Sequence, residues 1–204
     1  LGYNSREYYP ACLNSLQAAI DHAGQHNYSV RVIVVDNASS DGTPELIGSD
    51  FPWCELIVSP HNGGFSYGNN IGLKTLGLLN DPQVRYAMLL NPDTVMPPDG
   101  LWQMLAYADA HPDIGVLGPR LVLRDGTLDK ACKRGEPTPL TSFYHFSGLG
   151  RLFPNSPHFA RYNMTFVADD QIADVDSTVG ACSLYRSSAI QLVGLMDETF
   201  FMYG

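Results

Sequence analysis

Apolar and polar positions along this chain fall into blocks whose period changes from helical to extended and back. Between Tyr9 and about Ala23 the residues Cys12, Leu16, Ala19, Ile20 and Ala23 keep the spacing of one helix face. Val30–Val35 reads as a strand, because the four β-branched residues Val32-Ile33-Val34-Val35 end abruptly in Asp36, which predicts a buried strand. Thr43-Pro44 then opens a short helix to Gly48, and Glu55–Val58 reads as the next strand. Ser66 to about Leu79 predicts a helix with Ile71, Leu78 and Leu79 on its apolar side, followed by a strand at Tyr86–Leu90. Pro98–His111 reads as a helix, started by Pro97-Pro98-Asp99 and stopped by His111-Pro112. Val116–Leu117 and Leu121–Leu123 are strand-like, with Asp125-Gly126 as a tight turn after them. From Lys133 to about Asp170 the periodicity disappears, and it returns as a strand at Ser183–Arg186 and a helix at Ser187–Val193.

Strands alternating with helices over the first half predict an α/β fold with a doubly wound, mainly parallel sheet flanked by helices. Ligands of such sheets gather at the carboxyl ends of the strands. The length of 204 residues fits a single domain. Within it, Lys133–Asp170 is expected to form an irregular flap. Its Pro137, Pro139, Pro154 and Pro157 break regular structure, while Phe143, Tyr144, Phe146, Phe153, Phe159, Tyr162 and Phe166 argue against simple disorder. Leu1-Gly2 reads as the tail of a strand, and Met202-Tyr203-Gly204 stops inside what looks like a motif, so a fragment truncated at both ends is expected.

Composition narrows the partners. A content of 45% hydrophobic and 16% charged residues is that of a globular chain, and a formal net charge of −9 argues against nucleic acid and against anionic lipid as the main partner. A nucleoside diphosphate is still admissible, because a metal and backbone N–H groups hold one without net positive charge. No apolar run reaches the roughly 20 residues of a membrane span. Cys12, Cys54, Cys132 and Cys182 are scattered, which fits neither a zinc site nor a disulfide framework and favours reduced thiols in a cytoplasmic setting.

Three segments carry candidate chemistry. Asp36-Asn37 ends the first strand with a carboxylate and an amide; an Asx turn is the structural alternative. Asn62-Gly63-Gly64-Phe65 opens a Gly-rich loop that Gly68-Asn69-Asn70 closes, and the helix behind it is expected to aim free N–H groups at an anion. Asn91-Pro92-Asp93 ends another apolar strand with an acid.

Together these residues make the chain resemble the family 2 glycosyltransferases, enzymes with a GT-A fold, from Tyr3-Asn4 to Tyr203-Gly204. The resemblance implies a nucleotide-binding part over residues 1–132 and an acceptor-side part over 133–204. It implies a nucleotide-sugar pocket formed by Tyr3, Asn4, Asp36, Asn37, Asn62, Gly63, Asn69, Asn91 and Asp93, with Asp36 accepting a pyrimidine N3–H. It implies a divalent metal, Mg²⁺ or Mn²⁺, on Asp93. Relatives often carry Asp-x-Asp where this chain has Asn91-Pro92-Asp93, which leaves one carboxylate for the metal. The implied reaction is inverting transfer of a sugar, with a carboxylate accepting the proton of the attacking hydroxyl. Relatives place that base immediately after the segment matching Phe200–Gly204; Asp176 is the candidate inside the chain. The variants present look closest to rhamnosyltransferase-like members that build cell-surface polysaccharide. That branch implies a dTDP- or UDP-sugar donor, a glycan or lipid-linked acceptor, and peripheral membrane association through parts outside this sequence.

Rival readings are open to test. A module that binds a nucleotide sugar without turning it over would keep Asp36, Asn69 and Asp93. Gly64-Phe65-Ser66-Tyr67-Gly68 matches the Gly-x-Ser-x-Gly elbow of serine hydrolases, but Pro60-His61-Asn62-Gly63 separates it from the preceding strand. No Gly-x-Gly-x-x-Gly supports a nicotinamide site. His22 and His26, spaced as a metal pair, and the cluster Lys130, Lys133 and Arg134 read as solvated surface.

Overall fold

In the computed structural model, residues 1–202 are described, and the chain divides into two compact units. The first comprises Leu1–Leu117 and the chain from Leu184 onward; the second is Gly118–Ser183. In chain order the first unit contains α1 (Tyr9–Gln25), β1 (Ile33–Asp36), α2 (Thr43–Asp50), β2 (Glu55–Val58), α3 (Gly64–Leu76), β3 (Tyr86–Leu90), α4 (Gly100–Ala110) and β4 (Val116–Leu117). The second unit contains α5 (Pro139–Phe146) and α6 (Leu149–Leu152), after which come β5 (Cys182–Arg186) and α7 (Ser187–Val193).

β1 and β2 run parallel, with Ile33 opposite Glu55 and Asp36 opposite Val58. The remaining strands form a sheet in the order β3-β5-β4, in which β4 and β5 are antiparallel and Val116 faces Tyr185. β1 starts at Ile33, not at Val30 as its composition suggests; on the β2 side, Val32 makes only the rung from the Glu55 N–H. A cavity of about 600 Å³ lies between β1 and β3.

Helix α1 buries Tyr9, Cys12, Leu13, Leu16, Ala19 and Ala23, the face that its spacing predicts. Leu73, Leu78, Ala87, Leu89 and Ile190 form a core cluster that ties α3, β3 and α7 together. Gly77, at φ +79°, ends α3 by returning its N–H to Leu73 and Lys74, a backbone shape that costs glycine least. Arg186 fixes β5 to the end of α4: its guanidinium donates to the carbonyls of Ala108, His111 and Ile114 and to the Tyr86 hydroxyl. Those carbonyls include orphans of the helix end, where a cation is favoured. His26 is exposed, as expected, whereas His22 is half-buried. The His26 ring stacks on Trp102 at 4.4 Å and the His22 ring meets its edge at 5.7 Å, so the pair packs α1 on α4.

The second unit corrects two expectations. Its flap contains helix: the Thr138 hydroxyl caps α5 by accepting the Thr141 N–H, and Pro139 follows at the first helical position. Lys133 is a half-buried clamp, its side chain 12% exposed, donating to the Val167 carbonyl at 2.6 Å and to Asp169 at 2.7 Å. His145 stacks on Tyr162 at 4.1 Å, and Tyr144 meets Phe159 edge-on.

Candidate functional site

At the end of β1, Asp36 is 0% exposed. Its Oδ2 accepts the Ser39 N–H at 2.8 Å, whereas its buried Oδ1 has no partner. A buried carboxylate oxygen without a donor is costly, so an atom of this kind calls for a bound donor. The turn that follows is strained: Ala38 has φ +64°, in the left-handed region. It is laced to the start of the chain. The Asn4 N–H donates to Ser39 Oγ, Asn4 Oδ1 accepts the Ser40 N–H, and the Asn37 N–H donates to the Gly2 carbonyl. Asn4 therefore builds the turn, with its own φ at +48°, and the Tyr3 side chain is exposed beside it. Burial tends to raise the Asp41 pKa, but hydrogen bonds from Thr43 and the Arg6 N–H outweigh it and hold that carboxyl below the usual range. The Tyr9 hydroxyl, buried and without a partner, sits against Gly2. Burial first, and then the Asp36 charge, pushes its pKa up.

The Gly-rich loop is organised by amides. Asn37 Nδ2 donates to Asn62 Oδ1 at 2.7 Å and to the Gly64 carbonyl, and its Oδ1 accepts the Gly63 N–H. Asn62 Oδ1 also accepts the Gly64 N–H. Asn37 and Asn62 thus hold β1 and the loop in one piece. Gly63 lies under the Tyr67 ring, and Gly64, at φ +88°, leaves room for the Phe201 carbonyl, where a Cβ would overlap it. That carbonyl accepts the Phe65 N–H at 2.7 Å. The N–H groups of residues 63, 64 and 65 are all occupied within the protein, so these three are not open to an anion in this arrangement. Asn69 is turned elsewhere: its amide donates to the Phe65 carbonyl and it lines the interior cavity. Ser66 lies in the first turn of α3, and no hydrogen bond joins it to a histidine among the described residues. The elbow geometry of a serine hydrolase is absent there.

Past β3, the Asn91 carbonyl accepts the Thr94 N–H and the Cys12 thiol, and the Met96 N–H donates to Ser15 Oγ. The turn carrying Asp93 therefore rests on α1. Asp93 is exposed, and no hydrogen bond occupies its carboxylate among the described residues. Burial raises the Cys12 thiol to about 11, the Leu1 amino group opposes this, and Asp93 adds to it. Helix α1 is the common support. Tyr9 lies against Gly2, whose backbone bridges to Asp36, and Cys12 reaches Asn91. Positions 9 and 12 are neighbours on one helix face, about 5–6 Å apart at Cβ. The Asp36 and Asp93 turns thus stand over the same end of α1. Among the described residues no group of three or more His, Cys, Asp or Glu could hold a metal, so Asp93 offers a single ligand.

Asp176 belongs to the second unit. Its Oδ2 accepts the Glu136 N–H at 3.0 Å and Arg161 at 2.8 Å, and these two, the backbone bond first, hold its pKa low. A carboxylate so stabilised is a weak proton acceptor and a good loop clamp. The base expected after Gly204 lies outside the described residues, as do Tyr203 and Gly204. Asn70, which the sequence marks only as the close of the Gly-rich loop, is only 2% exposed: its amide holds the Met196 backbone and Glu198, seating residues 196–198 on α3. The available signal is a polar residue three positions before Leu73, on a face otherwise buried.

Comparison with known proteins adds the family context. The sequence profile of Glycosyl transferase family 2 matches residues 2–191. An N-acetylglucosaminyl-diphospho-decaprenol L-rhamnosyltransferase of Mycobacterium tuberculosis is 29% identical over 179 residues, covering 85% of this chain and 57% of that protein. The low-salt glycan biosynthesis hexosyltransferase Agl10 of Haloferax volcanii is 27% identical over 177 residues, covering 84% of this chain and 49% of its own length. The chain thus spans about half the length of the curated relatives it matches. Among solved structures, S. aureus TarS superposes with a TM-score of 0.59 at 16% identity over 98% of this chain and 30% of that one. A shorter form, TarS 1-349 in complex with UDP, gives 0.55 at 18% identity over 98% of this chain and 49% of that one. At such identities the likeness speaks for the fold.

Proposed function

The chain belongs to glycosyl transferase family 2, with an α/β fold of the GT-A type, and on that premise we propose that its first unit is the donor site of an inverting glycosyltransferase. The observation that carries the reading is the buried, unpartnered Asp36 Oδ1 at one strand end, with the free Asp93 carboxylate at another over the same end of α1. Asp36 accepts the N3–H of a uracil or thymine base, and its depth excludes water from that bond. Asn37, Asn62 and Asn4 keep the two turns around it in shape. With the N–H groups of residues 63, 64 and 65 occupied, the diphosphate depends on a cation. Asp93 would hold Mg²⁺ or Mn²⁺ together with diphosphate oxygens and water, a set that suits Mg²⁺. When bound, that ion neutralises the charge growing on the leaving diphosphate.

The donor is a dTDP- or UDP-sugar, and the acceptor a glycan or lipid-linked glycan in cell-surface polysaccharide synthesis. Support comes from the relatives, one named for rhamnosyl transfer to a decaprenol-linked sugar and one for hexosyl transfer in glycan biosynthesis. No helix among the described residues is long and apolar enough to cross a membrane, and a peripheral place at the cytoplasmic face suits a lipid-linked acceptor. The test is a thermal-shift screen of UDP, dTDP and GDP with and without Mn²⁺, because a ligand that binds only the folded state raises Tm. UDP or dTDP should stabilise, more so with Mn²⁺, and Asp93→Ala should remove the Mn²⁺ increment. Equal shifts for GDP, or a metal effect that survives Asp93→Ala, would contradict the assignment.

A further inference from the structure

Helix α5, in the second unit, presents its apolar side to solvent. Its inward contacts are made by Thr141, Tyr144 and His145. The Thr141 hydroxyl donates to the Glu136 carbonyl at 2.7 Å, the Tyr144 hydroxyl pairs with His158 Nε2 at 2.9 Å, and the His145 ring stacks on Tyr162. Phe143 and Phe146 lie on the opposite side of the helix, with Leu140 one turn before Phe143. Phe143 is 59% exposed and Phe146 79%. Helix α6 packs beside α5 and adds Leu152 at 70%, and Phe153 at its end is exposed as well. A surface helix normally turns such side chains to the core, so five large apolar groups gathered on one helix pair mark a contact surface. The charge around them is equally one-sided. Between Glu136 and Asp169 the sequence holds no acid, the longest such interval in a chain of formal net charge −9. Arg151 stands inside the apolar run, between Leu149 and Leu152, exposed and with no ion pair among the described residues.

We propose that α5 and α6 form a membrane-docking face, in which Phe143, Phe146, Leu152 and their apolar neighbours enter the boundary between headgroups and acyl chains of a bilayer that carries anionic lipid. At eight residues α5 is about 12 Å long, far short of a span, so the contact lies in the plane of the interface. Aromatic rings favour that depth. The Arg151 stem runs along the apolar groups while its guanidinium stays level with the lipid phosphates. The net charge of the whole chain weighs against broad adsorption to anionic lipid. A local contact, however, is decided by charges within a Debye length, roughly 8–10 Å, and along this segment those are cationic. The lack of acid also separates a bilayer from a protein partner: an anionic headgroup layer repels any acid placed against it, whereas a protein surface has no general need of such an interval. The face lies inside the chain, while the sequence alone leads one to expect peripheral association through parts outside it. The inference goes beyond the donor site and stands without it; for a lipid-linked acceptor, it holds the second unit at the surface from which that acceptor is drawn.

The test floats the chain with vesicles of phosphatidylcholine, alone or mixed with phosphatidylglycerol. The parent should float with the mixed vesicles, less so in high salt, and vesicle addition should slow amide exchange across residues 140–153. The double variant Phe143→Ser, Phe146→Ser should lose about 10-fold or more in apparent affinity with Tm nearly unchanged, since both rings are exposed. Arg151→Glu should lose about 5-fold on the mixed vesicles and less on phosphatidylcholine alone. Leu192→Ser with Val193→Ser, which removes the exposed apolar pair at the end of α7, should bind as the parent does. If the double variant does not fold, Arg151→Glu and the exchange of the parent decide the matter. A parent that floats with neither vesicle, a folded double variant that floats like the parent, or an equal loss in the α7 variant would overturn the proposal. So would a parent dimer, seen without lipid, that the double variant dissociates, because a second copy would then cover the face.

Discussion

Replacing Asp36 by Asn isolates the one atom on which donor recognition turns. The carboxylate is fully buried, with one oxygen on the Ser39 N–H and the other unpartnered. In Asp36→Asn the amide oxygen must stay on Ser39, because the NH₂ group has nothing to donate to there. The NH₂ then takes the place of Oδ1 and meets the N3–H of uracil or thymine donor to donor. A hydrogen bond to a charged group contributes about 1.5–3 kcal/mol, and each 1.4 kcal/mol is tenfold in affinity, so Kd for UDP and dTDP should rise by about 10- to 150-fold. CDP, whose N3 is an acceptor, should lose nothing and should gain relative to UDP. Stability should not fall, since a neutral amide is easier to bury than a half-satisfied carboxylate. Calorimetry with the three nucleotides at saturating Mn²⁺, beside a thermal melt, checks both parts. Unchanged UDP and dTDP affinity in a folded variant, or an equal loss for CDP, would refute the reasoning.

The remaining expectations address how the site is supported. Gly64→Ala places a Cβ at positive φ against the Phe201 carbonyl, a backbone strain of about 1–2 kcal/mol before the overlap is counted, so Tm should fall by several degrees. Gly48→Ala, in α2 with nothing within 4 Å of the added atom, should hold or raise Tm by the gain in helix propensity. Asn70→Ala leaves the Met196 N–H and carbonyl without their partner and Glu198 with Lys74 alone, a loss of about 1–3 kcal/mol that hydrogen exchange should report as faster opening of residues 196–201. Asp176 has a depressed pKa in the folded chain, chiefly from the Glu136 N–H and then Arg161. The stability it contributes is therefore full above its unfolded pKa of about 4 and is lost as pH falls through the folded value. Melts of Asp176→Asn should show a shallower decline than the parent below about pH 4 and the larger deficit near neutrality; parallel curves would contradict the clamp.

What can be read from the sequence follows from how local its causes are. β2, β3 and α7 begin and end where short apolar runs meet polar or Gly neighbours, and those edges are visible residue by residue. β1 begins at Ile33, later than the expected Val30, because pairing and not composition decides where a strand begins, and Val30, Arg31 and Val32 border the cavity. α5 is hard to see because Pro139 looks like a breaker when, behind the Thr138 cap, it starts a helix. At the site, residue types are legible and partners are not. An amide such as that of Asn37 or Asn62 serves a ligand or a loop equally well, and only the fold shows that both hold the loop. Likewise nothing local announces that the Phe201 carbonyl, far along the chain, occupies the Phe65 N–H, or that the Lys133 ammonium is held by Asp169 and the Val167 carbonyl.

The most direct measurement of the central claim is amide hydrogen exchange of the chain with UDP or dTDP and Mn²⁺, read against the unliganded chain. The account predicts that protection appears together in three stretches, 36–41, 62–65 and 91–96, with saturation at one shared ligand concentration. Protection confined to one of them, or appearing only within residues 118–183, would contradict a donor site built on the ends of β1 and β3.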